Sequence, residues 1–163
     1  MCLSEGLLGA VVGACLTFLF TYLIELRKQH YGKTDVILLN TAEELNNDGG
    51  NKLKSIIVDA NVECTNTKLI PTSIYDWYAV IITDKGTYEV QMHNKKDDSY
   101  FDFMDVVYLN QNQSCLIPLH GEKVVDMEYF EQEPGIKDVT TINQIDIFYR
   151  CNGSKERKKA KRR

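Results

Sequence analysis

The pattern of apolar and polar positions divides the chain into one long apolar run and a series of short alternating runs. Residues 6–24 carry no charge and no proline, and as a helix they are long enough to cross the hydrocarbon core of a bilayer. We therefore predict a single transmembrane α-helix near the start of the chain. Helix-friendly residues continue beyond it until Gly32, which is expected to end the helix. A cleaved signal peptide is not expected, because no basic residue precedes the apolar run.

Beyond residue 33 the apolar positions alternate with a period of two, which is typical of half-buried β-strands. Residues 55–65 alternate most regularly, and residues 77–83 are apolar on both faces, which indicates a central strand. A helical turn is expected at residues 41–45. Seven or eight such strands predict an all-β soluble domain, and we favour an antiparallel β-sandwich with a small barrel as the alternative. The predicted strands are 35–40, 55–65, 77–83, 88–93, 100–109, 115–119, 122–131 and 142–151.

The same patterns predict three parts of the chain. Residues 1–33 form the transmembrane anchor, with its span at 6–24, and the juxtamembrane segment. Residues 34–153 form the β-sandwich domain, which is large enough to bury its own core. Residues 154–163 form a basic tail whose one apolar residue is Ala160, and we expect this tail to be disordered because it has no apolar surface to bury.

Charge is separated along the chain. The formal net charge is −4, but residues 34–153 contain nine Lys or Arg against twenty Asp or Glu, a net charge of −11. An acidic domain between two basic segments argues against nucleic acid as a partner of the domain, because binding phosphates needs a basic face on the fold itself. Basic residues follow the span while Glu5 precedes it, so the N-terminus is predicted outside the cell membrane and the β domain in the cytoplasm.

The basic residues on both sides of the domain are predicted to contact anionic lipid. Near a membrane leaflet that contains anionic lipid, each Lys or Arg contributes about 1 kcal/mol of binding free energy, so the tail would hold the domain against the membrane. Nucleic acid and the acidic domain itself are the competing partners of the tail. The predicted lipid-contacting residues are Arg27, Lys28, Lys158, Lys159, Lys161, Arg162 and Arg163.

Small residues recur at four-residue spacing along the predicted span. Gly9 and Gly13 form a GxxxG pattern, which lets two helix backbones approach closely where lipid supplies no hydrophobic driving force. We therefore expect the protein to form a homo-oligomer through this helix face. The predicted helix–helix interface consists of Gly6, Gly9, Ala10, Gly13 and Thr17.

Side chains that could act in catalysis or metal binding do not form a recognisable motif in the sequence. The histidines at positions 30, 93 and 120 do not have the spacing of metal ligands or of a nucleophile–base pair. An acidic cluster at positions 97, 98, 102 and 105 offers oxygen ligands for calcium, but it lacks the order of an EF-hand and is explained by a solvated loop. We therefore predict no catalytic residue, no metal and no cofactor, and expect the protein not to be an enzyme.

Three aromatic residues beside a predicted loop, Tyr75, Trp77 and Tyr78, form the surface that we expect to bind a partner. The predicted function is a non-enzymatic interaction or sensing module on the cytoplasmic face, which binds an unidentified protein or small-molecule ligand. The alternative is a membrane-disrupting effector whose β domain senses a ligand and drives helix clustering. Thr17, Thr21 and Tyr22 are the polar residues of the span, which is too few to line a water-filled pore well.

Overall fold

A computed structural model describes residues 2–47, 53–95, 106–125 and 135–163, with the backbone alone for residues 2–8 and 28–30. One helix, α1 (Cys2–His30), precedes a domain built of strands, which confirms the predicted order of elements. The strands are β1 (Thr34–Asn47), β2 (Leu53–Asn66), β3 (Thr72–Thr83), β4 (Thr87–Gln91), β5 (His93–Asn94), β6 (Val107–Leu109), β7 (Gln113–Val124), β8 (Ile142–Cys151), β9 (Lys158–Lys159) and β10 (Lys161–Arg162). A 3₁₀ turn at Ile136–Asp138 lies before β8.

The apolar segment of helix α1 is not covered by the described domain. Its segment Gly9–Arg27 is long and apolar enough to cross a membrane, and none of that segment is buried. The large apolar side chains of the segment are exposed, and Phe18 is 77% exposed. Exposing a continuous apolar surface to water is unfavourable, so this surface needs lipid or another chain around it.

The strands form two sheets. The first sheet has the order β10-β1-β2-β7-β5, and the second has the order β4-β3-β8-β9 with β6 beside β3. All pairs are antiparallel except β1 with β10, which is parallel. The two sheets pack as a sandwich, which confirms the predicted fold class and not the barrel alternative. The described part of the chain has ten strands. No strand was predicted in the tail, where β9 and β10 lie, whereas β6 is the end of the predicted strand 100–109 and β5 begins at the last residue of the predicted strand 88–93.

The core lies between the two sheets and follows the predicted alternation. In β2 the residues Val58, Ala60, Val62 and Cys64 are buried, while the residues between them are partly exposed. From the facing sheet, the Trp77 ring lies 5.7 Å from the Tyr149 ring, measured between centroids. Burial of these apolar side chains is the main favourable term in folding the domain.

A β-bulge at Asp76 determines which side chains of β3 enter the core. Tyr75 pairs with Arg150 and Tyr78 pairs with Phe148, so two residues of β3 lie opposite one residue of β8. Asp76 has a φ of 56°, and its carboxylate lies 3.1 Å from Nε of Arg150. Because the bulge adds one residue, the buried positions shift from even numbers before it to odd numbers after it.

Strand β1 is longer than predicted. The helical turn expected at residues 41–45 is wrong, because Ala42 pairs with Asp59 and Leu45 pairs with Ile56 in the continuous β1–β2 ladder. The predicted strand 115–119 is part of the twelve-residue β7. The predicted strands 100–109 and 122–131 fall partly outside the described residues.

Candidate functional site

The junction between α1 and the domain is short and hydrogen-bonded. Gly32 has a φ of 84°, and only Tyr31, Gly32 and Lys33 separate α1 from β1. The backbone N–H of Lys33 donates to Oγ1 of Thr67 over 2.9 Å, and the backbone N–H of Thr67 donates to the carbonyl oxygen of Lys33 over 2.9 Å. The exit of the helix is therefore fixed to the loop between β2 and β3.

This junction defines the end of the sandwich that lies beside the helix. The hydroxyl of Thr34 lies 3.4 Å from that of Thr72, so β1 and β3 begin together at this end. The loop between β2 and β3 also carries Lys68 and the 40% exposed Leu69. If α1 spans a bilayer, this loop is the part of the domain closest to the lipid headgroups. The sequence pattern did not identify Lys68 because nothing in it shows which loop returns to the helix.

The basic tail does not match the predicted disorder. Residues 157–163, which we call the strap, run along one side of the sandwich as β9 and β10. Phe148 of β8 pairs with Lys159, and Ile37 of β1 pairs with Lys161, so the strap crosses from one sheet to the other. Ala160 lies at the crossing, is buried in the core and donates its N–H to the carbonyl oxygen of Ile147 over 2.8 Å.

The charges of the strap are paired with those of the domain. Nζ of Lys159 lies 2.7 Å from Oδ2 of Asp146, and Nζ of Lys161 lies 2.6 Å from Oδ1 of Asp35. Arg162 donates to the carbonyl oxygen of Ile145 over 2.6 Å. The acidic domain, one of the three partners considered for the tail, is thus the partner in this structure. The tail cannot fold alone, but it is ordered here by two strand edges and by opposite charges on the domain.

The individual ion pairs of the strap are weak. The side chains of Lys159, Lys161 and Arg162 are about half exposed or more, and exposed ion pairs contribute about 0–1 kcal/mol each. Strands β9 and β10 have two paired residues each, whereas the β1–β2 ladder extends over most of both strands. The strap is therefore the part of the sandwich that we expect to open most easily.

The two aspartates under the strap have altered acidities. Hydrogen bonds from Lys161 and Lys33 lower the pKa of Asp35 below its usual value of 3.8. Burial raises the pKa of Asp146, but hydrogen bonds from Lys159 and Gln144, with the nearby charge of Arg162, outweigh it and leave that pKa below 3.8. Both carboxylates are therefore ionised at neutral pH and hold the strap most strongly there.

Acidification is expected to loosen the strap. Because both folded-state pKa values lie below the ordinary value of 3.8, the stabilisation is fully present above that pH and is lost as the pH falls below it. Amide exchange at Ala160, corrected for its intrinsic pH dependence, should accelerate below about pH 4, while exchange at Val62 in the core should not. In the Asp35→Asn, Asp146→Asn double variant, exchange at Ala160 should be fast at pH 7 and independent of pH. An exchange rate at Ala160 that follows Val62 at every pH would contradict this expectation.

The three aromatic residues of the predicted partner-binding surface do not lie together on the surface of the domain. Trp77 is 2% exposed and belongs to the core, so it cannot form a surface for a partner. Tyr78 is also buried: its ring stacks on Phe148 at 5.8 Å, and the guanidinium of Arg157 lies 3.8 Å above the Tyr78 ring. Tyr75 is partly exposed. The bulge at Asp76 explains this division, because it turns Trp77 inward and Tyr78 outward, where the strap covers it.

The predicted helix face is open. Apart from the backbone of α1 itself, no atom lies within 4 Å of a Cβ built on Gly9 or Gly13, and Ala10 and Thr17 are exposed. Oγ1 of Thr17 donates to the carbonyl oxygen of Gly13 over 2.8 Å, so this hydroxyl is satisfied within its own helix. At Gly6 and Lys28 the structure describes the backbone alone. The interface with a second helix stays a prediction.

Other polar groups lie on the outer face of the first sheet. Nδ1 of His120 lies 2.9 Å from Oδ1 of Asp59, and Nζ of Lys95 lies 3.5 Å from the same oxygen. Burial raises the pKa of Asp59, but these two neighbours outweigh it and lower that pKa overall. Within the described ranges no three His, Cys, Asp or Glu residues are placed to hold a metal ion. The acidic cluster Asp97, Asp98, Asp102 and Asp105 lies outside those ranges.

Comparison with known proteins does not assign the chain to a family. No protein-family model matches it, and the search of curated proteins gives no match. Functional conclusions therefore rest on the geometry above.

Proposed function

We propose that the protein is a single-pass, membrane-anchored interaction module whose β-sandwich acts without catalysis at the cytoplasmic face. The observation that carries this proposal is the junction at Gly32 and Lys33, which ties the exit of an exposed apolar helix to Thr67 of the domain. A flexible linker would let the domain move away from the bilayer. This junction instead keeps one end of the sandwich at the membrane surface.

Basic residues near the junction support the cytoplasmic orientation. Arg27, Lys28 and Lys33 follow the predicted span, and the fold brings Lys68 to the same end of the domain. Positive charge next to a span favours the cytoplasmic side, where anionic lipid attracts it. We propose that Arg27, Lys28 and Lys68 contact lipid headgroups. The strap cations Lys159, Lys161 and Arg162 are paired with the domain and contact lipid only when the strap is released.

The exposed small residues of α1 support self-association in the membrane. Replacing Gly13 with leucine should reduce helix self-association several-fold, because the side chain prevents close backbone approach. Förster energy transfer between labelled chains in lipid vesicles measures this association. Val12→Leu places the same leucine side chain beside the small-residue line and serves as the matched control. Equal energy transfer in Gly13→Leu and the unmodified chain would contradict the interface.

Membrane anchoring is tested by fractionation and intact mass. The chain should stay in the membrane pellet after alkaline extraction and retain its full mass of 18.7 kDa. Leu16→Arg with Leu19→Arg should release it, because each charge near the centre of a span costs about 2.5–3.5 kcal/mol. Leu116→Arg with Val124→Arg adds the same charge at exposed positions of the domain and should leave it in the pellet. A soluble product shortened at its N-terminus would show that α1 is a cleaved signal and would overturn the proposal.

A further inference from the structure

The strap occupies a groove that consists of two strand edges. On one side lies β8 of the second sheet, and on the other lies β1 of the first sheet. Strand edges carry unpaired backbone donors and acceptors, so an extended segment can add to them in the manner of β-augmentation. We call this groove the seam and define it by β1 and β8 with the side chains of Asp35, Asp146 and Tyr78.

The strap shows which chemistry the seam accepts. Two carboxylates, Asp35 and Asp146, each accept a hydrogen bond from a lysine, and the Tyr78 ring carries a guanidinium. Between the two strand pairs is space for one small side chain, that of Ala160, which is buried. A segment that fits the seam is therefore extended and basic. It has a small residue between its cations and an arginine on the N-terminal side of them.

Few contacts hold the strap in the seam. Four strap residues pair with strand edges, one side chain is buried, and the remaining strap side chains are exposed. The preceding loop contains Asn152 and Gly153, both with positive φ, and Gly153 has open space around it. Local opening at such a segment does not require the core to open.

We propose that the seam is a binding site for an extended basic segment of a partner protein and that the strap is an intramolecular occupant that such a segment replaces. The partner adds a strand to the edges of β1 and β8 and places cations on Asp35 and Asp146. The inference rests on the proposed role as an interaction module, of which it names the partner chemistry. The test of this inference measures peptide binding in detergent. The seam can therefore fail its test while the chain is anchored in the membrane, and anchoring can fail while the seam binds the peptide.

The test separates the strap from its covalent tether in the full chain. A site for a specific protease is inserted between Gly153 and Ser154, the chain is purified in detergent micelles and cut, and a fluorescent peptide with the sequence of residues 157–163 is added. The cut chain should bind the peptide saturably, and the uncut chain should bind it at least tenfold more weakly, because a tethered strap competes at a high effective concentration. A cut chain that releases no strap or binds no peptide would overturn the proposal.

Two matched controls distinguish a fitted site from general charge attraction. Asp146→Asn should weaken peptide binding about fivefold, because it removes the carboxylate that pairs with both Lys159 and Arg162, while Asp138→Asn at an exposed carboxylate outside the seam should not. A peptide with leucine in place of Ala160 keeps every charge but overfills the buried space, and it should bind about tenfold more weakly. Equal binding of both peptides, or capture of the peptide by anionic lipid vesicles and not by the cut chain, would refute the site.

Discussion

Replacing Gly32 with alanine is expected to lower the free energy of unfolding by about 2–3 kcal/mol. It should also break the contact between the end of α1 and the loop that joins β2 to β3. A Cβ at this position would lie 2.6 Å from the carbonyl carbon of Thr67 and 2.8 Å from the backbone nitrogen of Lys68, and would overlap the Thr67 carbonyl oxygen. Because these neighbours are backbone atoms, they cannot move without breaking the hydrogen bonds between Lys33 and Thr67.

Chemical denaturation in micelles measures the loss, and amide exchange at Thr67 locates it. Gly153→Ala is the matched control, because Gly153 also has a positive φ, of 69°, but has nothing within 4 Å of the added atom. It should cost about 1 kcal/mol from backbone strain alone and leave exchange at Thr67 unchanged. If the two variants lose the same stability and Thr67 stays protected in both, the junction is not the rigid connection described here.

Replacing Trp77 with alanine is expected to cost about 3–5 kcal/mol of stability, a large part of what a domain of this size has. The indole is buried between the two sheets and lies against Tyr149, so its removal leaves a cavity that the facing strands cannot fill. Its Nε1 has no hydrogen-bond partner among the described residues. Trp77→Phe should therefore cost less than Trp77→Ala, because it retains most of the packing and removes the unpaired donor.

Denaturant unfolding followed by circular dichroism checks this prediction. Tyr75→Ala provides the comparison, because Tyr75 lies two residues away in the same strand and is partly exposed. It should lose much less stability than Trp77→Ala. A loss in Trp77→Ala as small as the loss in Tyr75→Ala would mean that Trp77 is exposed, as the predicted partner-binding surface requires.

The sequence predicted the order of elements and the fold class because both follow from the periodicity of apolar residues. Alternation in residues 55–65 fixes which side of β2 is buried, and the apolar run in residues 6–24 overlaps the one described helix that is long and apolar enough to cross a membrane. The errors have local physical causes. The extra residue at Asp76 shifts the alternation of β3, so Trp77 lies on the buried face with Ala79 and Ile81, and the apolar pattern does not reveal this bulge. Strand pairing with β2 keeps residues 41–45 extended against their helical propensity.

The seam could not be predicted because it depends on contacts between segments far apart in the chain. Lys161 and Asp35 are 126 positions apart, and nothing in the spacing of either shows that they meet. Two signals were nevertheless present: the separation of charge between domain and tail, and one small apolar residue, Ala160, inside a run of cations. Considered alone, the strap has too little apolar surface to fold. Its order depends on strand edges that only the folded domain supplies.

The orientation of the chain in the membrane is the central claim, and thiol labelling in intact cells tests it most directly. One variant carries Asn46→Cys at an exposed position of β1, and a second carries Ser4→Cys before the span. Both also carry Cys2→Ser, which removes the native thiol on the predicted outer side, and Cys115→Ser, which lowers the background from the domain. With a membrane-impermeant reagent, we expect the cysteine at position 4 to react in intact cells and the cysteine at position 46 to react only after permeabilisation. Reaction at position 46 in intact cells would place the β domain outside and contradict the account.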